Sequence, residues 1–171
     1  YVTDSSDVVF SIRPNINMTI PATGVNISAA SNTSINWTYT GSTITTVNVQ
    51  YSVDGGTNWT NVSRATGISV GSGGNGFCYW DPTPSQAYNN LVKVRVLDAA
   101  NANVSGMTGL FNIVPNLRLS DTWKHNSQNF PVGSSQIISW TQVAASLVNV
   151  SYSLDNGSNW TTIQQVAPGQ Q

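Results

Sequence analysis

Few residues in this chain have side chains that could do covalent or metal chemistry. The carboxylates number seven, all aspartates: Asp4, Asp7, Asp54, Asp81, Asp98, Asp121 and Asp155. A glycosidase-type acid/base pair would have to be drawn from these. Asp54 and Asp155 stand in turn sequences, and Asp4 and Asp98 stand at matching strand ends, which leaves no obvious pair. His125 is the one histidine, in the polar stretch Asp121-Thr122-Trp123-Lys124-His125, and Cys78 is the one cysteine. Together they fall short of the four ligands that zinc takes. A lone cysteine excludes an internal disulfide, and Cys78, set in Phe77-Cys78-Tyr79-Trp80, reads as a strand residue rather than a nucleophile. The glycine-rich stretch 67–76 lacks the Lys-Ser/Thr ending of a phosphate loop and reads as a plain loop. Calcium would have to rest on Asp98 or Asp4 with loop carbonyls, without the clustered carboxylates of strong calcium loops. We therefore expect no catalytic residue, no metal, no cofactor and no enzyme activity.

The group present in excess is the asparagine amide in a glycosylation sequon. Asn17, Asn26, Asn32, Asn36, Asn58, Asn61, Asn103, Asn149, Asn156 and Asn159 are each followed by x-Ser or x-Thr. Ten sequons compare with roughly five that chance would give at this composition. Charged residues make up only 8% of the chain and the net charge is −1, against about a quarter charged in ordinary globular chains. Such a surface needs another solvating group or burial in an assembly. Covalent glycan is the expected answer, with Asn36 and Asn149 the clearest outward positions. Asn36 alternates with Ile35 and Trp37, and Asn149 with Val148 and Val150. The charge balance offers no basic surface to nucleic acid, and no apolar run is long enough to span a membrane as a helix.

The elements that must position these groups are short strands. Ile35, Trp37 and Tyr39 alternate with polar residues, as do Val47, Val49, Tyr51 and Val53, and Val92, Val94 and Val96. Ile16, Met18 and Ile20 are expected to share a face. Nowhere does a 3.6-residue period persist over a helical length. One segment occurs twice: Tyr51-Ser52-Val53-Asp54-Gly55-Gly56-Thr57-Asn58-Trp59 returns as Tyr152-Ser153-Leu154-Asp155-Asn156-Gly157-Ser158-Asn159-Trp160. Asp-Gly-Gly and Asp-Asn-Gly supply the positive φ that tight hairpin turns need, so Ser52, Asp54, Gly56 and Trp59, with Ser153, Asp155, Gly157 and Trp160, are read as two structural hairpins. Further matches join Leu110 to Asn116 with Val9 to Asn15, Trp140 with Trp37, and Val150 with Val49. The expected division is a closing strand in 1–13, a complete antiparallel sandwich in 14–114, and the first half of a second in 115–171. Trp37, Tyr51, Val94 and Phe111 are the expected core.

The motifs Pro14 to Met18, Ile35 to Trp37, Tyr51 to Trp59, Tyr79 to Pro82, Val94 to Asp98 and Phe111 to Ile113 together resemble the tandem immunoglobulin-like or fibronectin type III-like repeats of large bacterial cell-surface proteins. The hairpin itself resembles the Asp box of sialidases and other secreted β proteins, a structural turn there, although the 101-residue spacing does not fit the blades of a propeller. The resemblance implies an all-β fold of tandem sandwiches and an extracellular location. It implies the work of a spacer, adhesin or fibre subunit. The expected function is a structural segment of a glycosylated surface fibre. Its partners would be copies of itself, joined in tandem or by inserting Val8, Val9, Phe10 and Ile12 of one copy into the half-built unit of the next. The alternative is a carbohydrate-binding or adhesin module, in which exposed tryptophans, Trp123 first among them, would take a glycan.

Overall fold

The computed structural model describes residues 2–3, 8, 13–120 and 129–167. Their regular structure is β1 (Asn15–Ile20), β2 (Asn26–Ser28), β3 (Thr33–Thr40), β4 (Thr46–Ser52), β5 (Thr60–Asn61), β6 (Ile68–Ser69), β7 (Asn75–Trp80), a 3₁₀ turn at Pro84–Gln86, β8 (Asn89–Asp98), β9 (Ser105–Met107), β10 (Phe111–Val114), β11 (Asn116–Leu119), β12 (Trp140–Val143), β13 (Val148–Tyr152) and β14 (Thr161–Val166). The described residues contain no α-helix, as the lack of helical periodicity predicts. The chain is all-β and mostly antiparallel. Two bonds reveal one parallel neighbour: Asn112 N–H donates to Val25 O and Ala29 N–H to Val114 O, so β2 runs alongside β10 in the same sense. The glycine-rich stretch is more ordered than a loop, since Ile68–Ser69 pairs with β4.

The chain packs into two compact units. One is formed by the described residues of Tyr1–Val25, Asn32–Trp80 and Asn90–Asn112, the other by those of Asn26–Ser31, Asp81–Asn89 and Ile113–Gln171.

The first unit is a sandwich. One layer is the sheet β1-β3-β7, with β3 in the middle; the other carries β8 and β4, flanked by β10 and β5. Alternation decides which side chains meet between the layers. Ile16, Ile35, Trp37, Val47, Val49, Val92, Val94, Val96 and Phe111 are all buried, and burial of each large apolar side chain contributes about 1.5–3 kcal/mol. Trp80 on β7 ties the layers together. Its ring stacks on Tyr51 of β4 at 5.1 Å and meets Phe111 of β10 edge-on at 6.4 Å. Tyr51 itself is only half-buried. Two inward expectations are overturned. A bulge between Met18 and Ile20 on β1 turns Ile20 outward, 43% exposed, and Val53 emerges to 38% because β4 has already ended at Ser52.

The second unit contains two ladders, β11 with β12 and β13 with β14. Its core is small: Trp140, Val148 and Val166, with Ile138, Ala145 and Val150 partly buried against them. Within this unit the Tyr88 hydroxyl accepts the Ser146 N–H at 3.3 Å.

Candidate functional site

The two hairpins close on themselves through one repeated network. Ser52 Oγ donates to Asp54 Oδ1 at 2.7 Å and accepts the Gly56 N–H at 2.8 Å. The Asp54 carboxylate accepts the N–H groups of Thr57 and Asn58 and the side-chain amide of Asn58. Trp59 Nε1 donates to Gly56 O at 2.9 Å. The second copy repeats these contacts: Ser153 to Asp155, Gly157 N–H to Ser153 Oγ, Asn159 to Asp155 through both its N–H groups, and Trp160 Nε1 to Gly157 O. Positive φ is supplied by Gly55 (77°) and Gly56 (104°) in one copy and by Asn156 (57°) and Gly157 (88°) in the other. Asn replaces Gly at the first position because its short polar side chain tolerates the left-handed region. Bonds that favour the ionised form hold both carboxyls low. Asp54 lies well below the usual aspartate range, chiefly through the Asn58 N–H, and Asp155 falls to about 2, chiefly through the Asn159 side chain. Both carboxylates are held by donors of their own hairpin and so do structural work.

The two hairpin tryptophans do not repeat their burial. Trp59 is half-buried under Arg95, whose guanidinium lies 4.2 Å from the ring centroid while its Nε donates to Gln50. Trp160 is 66% exposed. No described residue lies over the Trp160 ring as Arg95 lies over Trp59. Trp37, Trp80 and Trp140 are buried.

Nine of the sequon asparagines, Asn17, Asn26, Asn32, Asn58, Asn61, Asn103, Asn149, Asn156 and Asn159, are exposed, and Asn36 is half-buried. Several side chains already have partners. Asn58 and Asn159 hold the hairpin aspartates, Asn61 Oδ1 accepts Gln50, Asn149 Oδ1 accepts Gln165, and Asn36 Oδ1 accepts the Ser34 hydroxyl.

Two surfaces stand out that residue patterns did not single out. On the outer face of β1-β3-β7, Phe77 and Tyr79 are 62% and 59% exposed, with their rings edge-to-face at 5.8 Å. The register sets Phe77 opposite Asn36, and Asn36 in turn opposite Ile20. In the second unit an open apolar groove of about 460 Å³ is lined by Leu117, Leu119, Ile138, Trp140, Val150 and Tyr152, among others. Trp140 Nε1 and Gln142 Oε1 are buried without a hydrogen-bond partner among the described residues. The corresponding indole of the first unit, Trp37, donates to Val70 O at 2.9 Å.

Cys78 is half-buried, and burial pushes its thiol up to about 11. Asp98 is buried and accepts the Ala100 N–H. Among the described residues no three His, Cys, Asp or Glu side chains converge. Of the strand-exchange residues, Val8 lies in an exposed bend. Val9, Phe10 and Ile12, together with Asp4, Asp7, Asp121, Trp123 and His125, lie outside the described residues. No described helix is long and apolar enough to cross a membrane.

The chain matches no protein-family model and no curated protein. Among solved structures it is similar to a marsupial T cell receptor, at 9% identity and a TM-score of 0.37 over 91% of this chain and 100% of that one. A likeness this loose identifies no family.

Proposed function

We propose that this chain is a structural segment of an extracellular, glycosylated fibre whose β-sandwich repeats are completed by strands from neighbouring repeats. One observation carries the reading: among the described residues the second unit leaves an apolar groove open, and Trp140, which lines it, has a buried indole N–H without a partner. An unpaired buried donor costs about 1–3 kcal/mol, and exposed Leu117, Leu119 and Tyr152 beside it make an apolar face that water does not solvate well. In the first unit the same kind of face is closed by the strands carrying Trp80, Val94 and Phe111. An added strand of alternating apolar residues would close the groove and supply main-chain acceptors. A contact of this head-to-tail type does not close on itself and extends into a filament. The low charge and the exposed sequons fit a surface solvated by sugar, and the chain's motifs resemble the repeats of bacterial surface proteins.

Sedimentation and electron microscopy test this reading. The protein is expected to associate with rising concentration into linear assemblies, and Val150→Asp in the groove is expected to leave a monomer whose first sandwich unfolds at an unchanged temperature. A wild-type monomer at every concentration would overturn completion by a neighbouring copy. The second reading, a carbohydrate-binding or adhesin module, has no exposed row of tryptophans in its favour among the described residues. Its support is the Phe77–Tyr79 pair.

A further inference from the structure

The outer face of β1-β3-β7 combines three features that ordinary surfaces keep apart. First, β7 is an edge strand among the described residues, paired with β3 on one side, and its sequence Asn75-Gly76-Phe77-Cys78-Tyr79-Trp80 carries no charge. Exposed edges are normally protected by lysine, proline or a covering element, because an apolar edge recruits other strands. Second, Phe77 and Tyr79 project their rings from that edge into solvent. Third, the cross-strand neighbour of Phe77 is Asn36, the acceptor of the sequon Asn36-Trp37-Thr38. Directly opposed residues place their Cβ atoms about 4.5–5.5 Å apart. A groove of about 340 Å³ lies at this point, lined by Thr19, Asn36, Thr38, Ser72, Asn75 and Phe77 among others, a volume in the range of small-ligand sites.

We propose that this face is a saccharide site filled by the chain's own modification. An N-acetylhexosamine linked to Asn36 Nδ2 lays the C–H face of its ring on Phe77, with Tyr79 bracing Phe77 edge-on and the hydroxyls and amides of Thr19, Thr38, Ser72 and Asn75 meeting the sugar's polar rim. The chemistry fits both partners. A pyranose has an apolar face of C–H bonds that packs on an aromatic ring, and a rim of hydroxyls that wants hydrogen bonds. Asn36 keeps its Oδ1 on the Ser34 hydroxyl, which fixes the amide while Nδ2 takes the sugar. The attached glycan would cover the apolar patch and stand in the path of any strand approaching β7. It would thus act as the edge protection that charge supplies elsewhere. Asn149 is an internal contrast, because its cross-strand neighbour is Gln165, whose amide donates to Asn149 Oδ1, rather than an aromatic ring.

The inference rests on the glycosylation reading above, and the test separates the two. The protein is secreted from cells that modify sequons, occupancy is mapped by peptide mass, and native protein is treated with an endoglycosidase. Release from Asn36 is expected to be about tenfold slower than from Asn149, the factor that one aromatic contact provides, and Phe77→Ser is expected to close that gap without changing release at Asn149. Because Phe77 is exposed, the variant should fold; an unchanged first unfolding transition checks it. Sugar at Asn149 with none at Asn36, or equal release rates in the wild type, would overturn this proposal and leave the glycosylated fibre standing. An absence of sugar at every sequon would overturn both. Binding of a free N-acetylglucosamine disaccharide at Phe77 while Asn36 stays empty would overturn the covalent assignment in favour of a soluble glycan. Assembly through β7 unaffected by glycan removal would overturn its role as edge protection.

Discussion

Trp37 and Trp140 occupy matching strands, and replacing each by phenylalanine should have unequal consequences. Trp37 is 1% exposed and its Nε1 donates to Val70 O. Trp37→Phe removes that bond and takes a partner from a buried carbonyl, costing about 1–3 kcal/mol. Loss of the indole's second ring in a close-packed core adds about 1 kcal/mol or more. A total of about 2–4 kcal/mol should lower the first unit's Tm by about 10 °C or more, at about 4–8 °C per kcal/mol for a domain of this size. Trp140 is also buried, but its Nε1 has no partner. Trp140→Phe removes an unsatisfied donor, a gain of about 1–3 kcal/mol that offsets the packing lost. The net change should stay within about 1 kcal/mol for the isolated protein. Calorimetry of both variants, read against the wild type, checks the contrast. If association satisfies Trp140, Trp140→Phe should weaken assembly seen by sedimentation while sparing the monomer. A loss of monomer stability with Trp140→Phe equal to that with Trp37→Phe would refute the reasoning, since it would mean that the donor is already satisfied.

Three further outcomes follow from the first unit and the hairpins. The Asp54 and Asp155 carboxyls are depressed below an unfolded value of about 3.9, so their hairpin bonds are fully present above pH 4 and are lost as pH falls through the folded value. The Asn159 N–H resonance should therefore titrate with a midpoint near 2, and a midpoint near 4 would contradict the network. Gly76→Ala would set a Cβ 2.0 Å from Val70 O and 2.4 Å from the Trp37 ring; overpacking of this kind costs about 1–3 kcal/mol or more, measured by urea unfolding, and an unchanged midpoint would contradict the packing of β7 on Trp37. Cys78, with its thiol raised to about 11, should be alkylated at pH 8 about two orders of magnitude more slowly than a free cysteine, and a free-thiol rate in the folded protein would contradict its burial.

How much of this was legible in the sequence depended on the range of the interaction. The hairpins were legible because the side-chain bonds that close them, from Ser52 to Trp59, join residues at most four apart; the Gly55 N–H bond to Leu91 O lay outside that range. The core faces of β3, β4 and β8 were legible because one side of each strand is consistently apolar, and period two then fixes which residues face inward. That rule broke at Ile20, where a bulge inserts a residue that alternation does not count. It carried no sign at all on β7. There, Phe77 and Tyr79 stand on one face and Gly76, Cys78 and Trp80 on the other, so both faces carry aromatics and pattern alone chooses neither. The structure turns Phe77 and Tyr79 out because the Trp37 indole occupies the space against Gly76, a fact held by another strand. The same limit separates Trp59 from Trp160. Their local sequences agree at six of nine hairpin positions and their turns share the Ser–Asp, Gly–Ser, Asn–Asp and Trp–Gly bonds, yet one indole is half-covered and the other exposed. The difference lies with Arg95 on β8, which bonds Gln50 and is held over Trp59. A repeat therefore transmits its local turn faithfully, but the exposure of the turn's tryptophan, and with it any capacity to bind, is set by a strand outside the repeated segment.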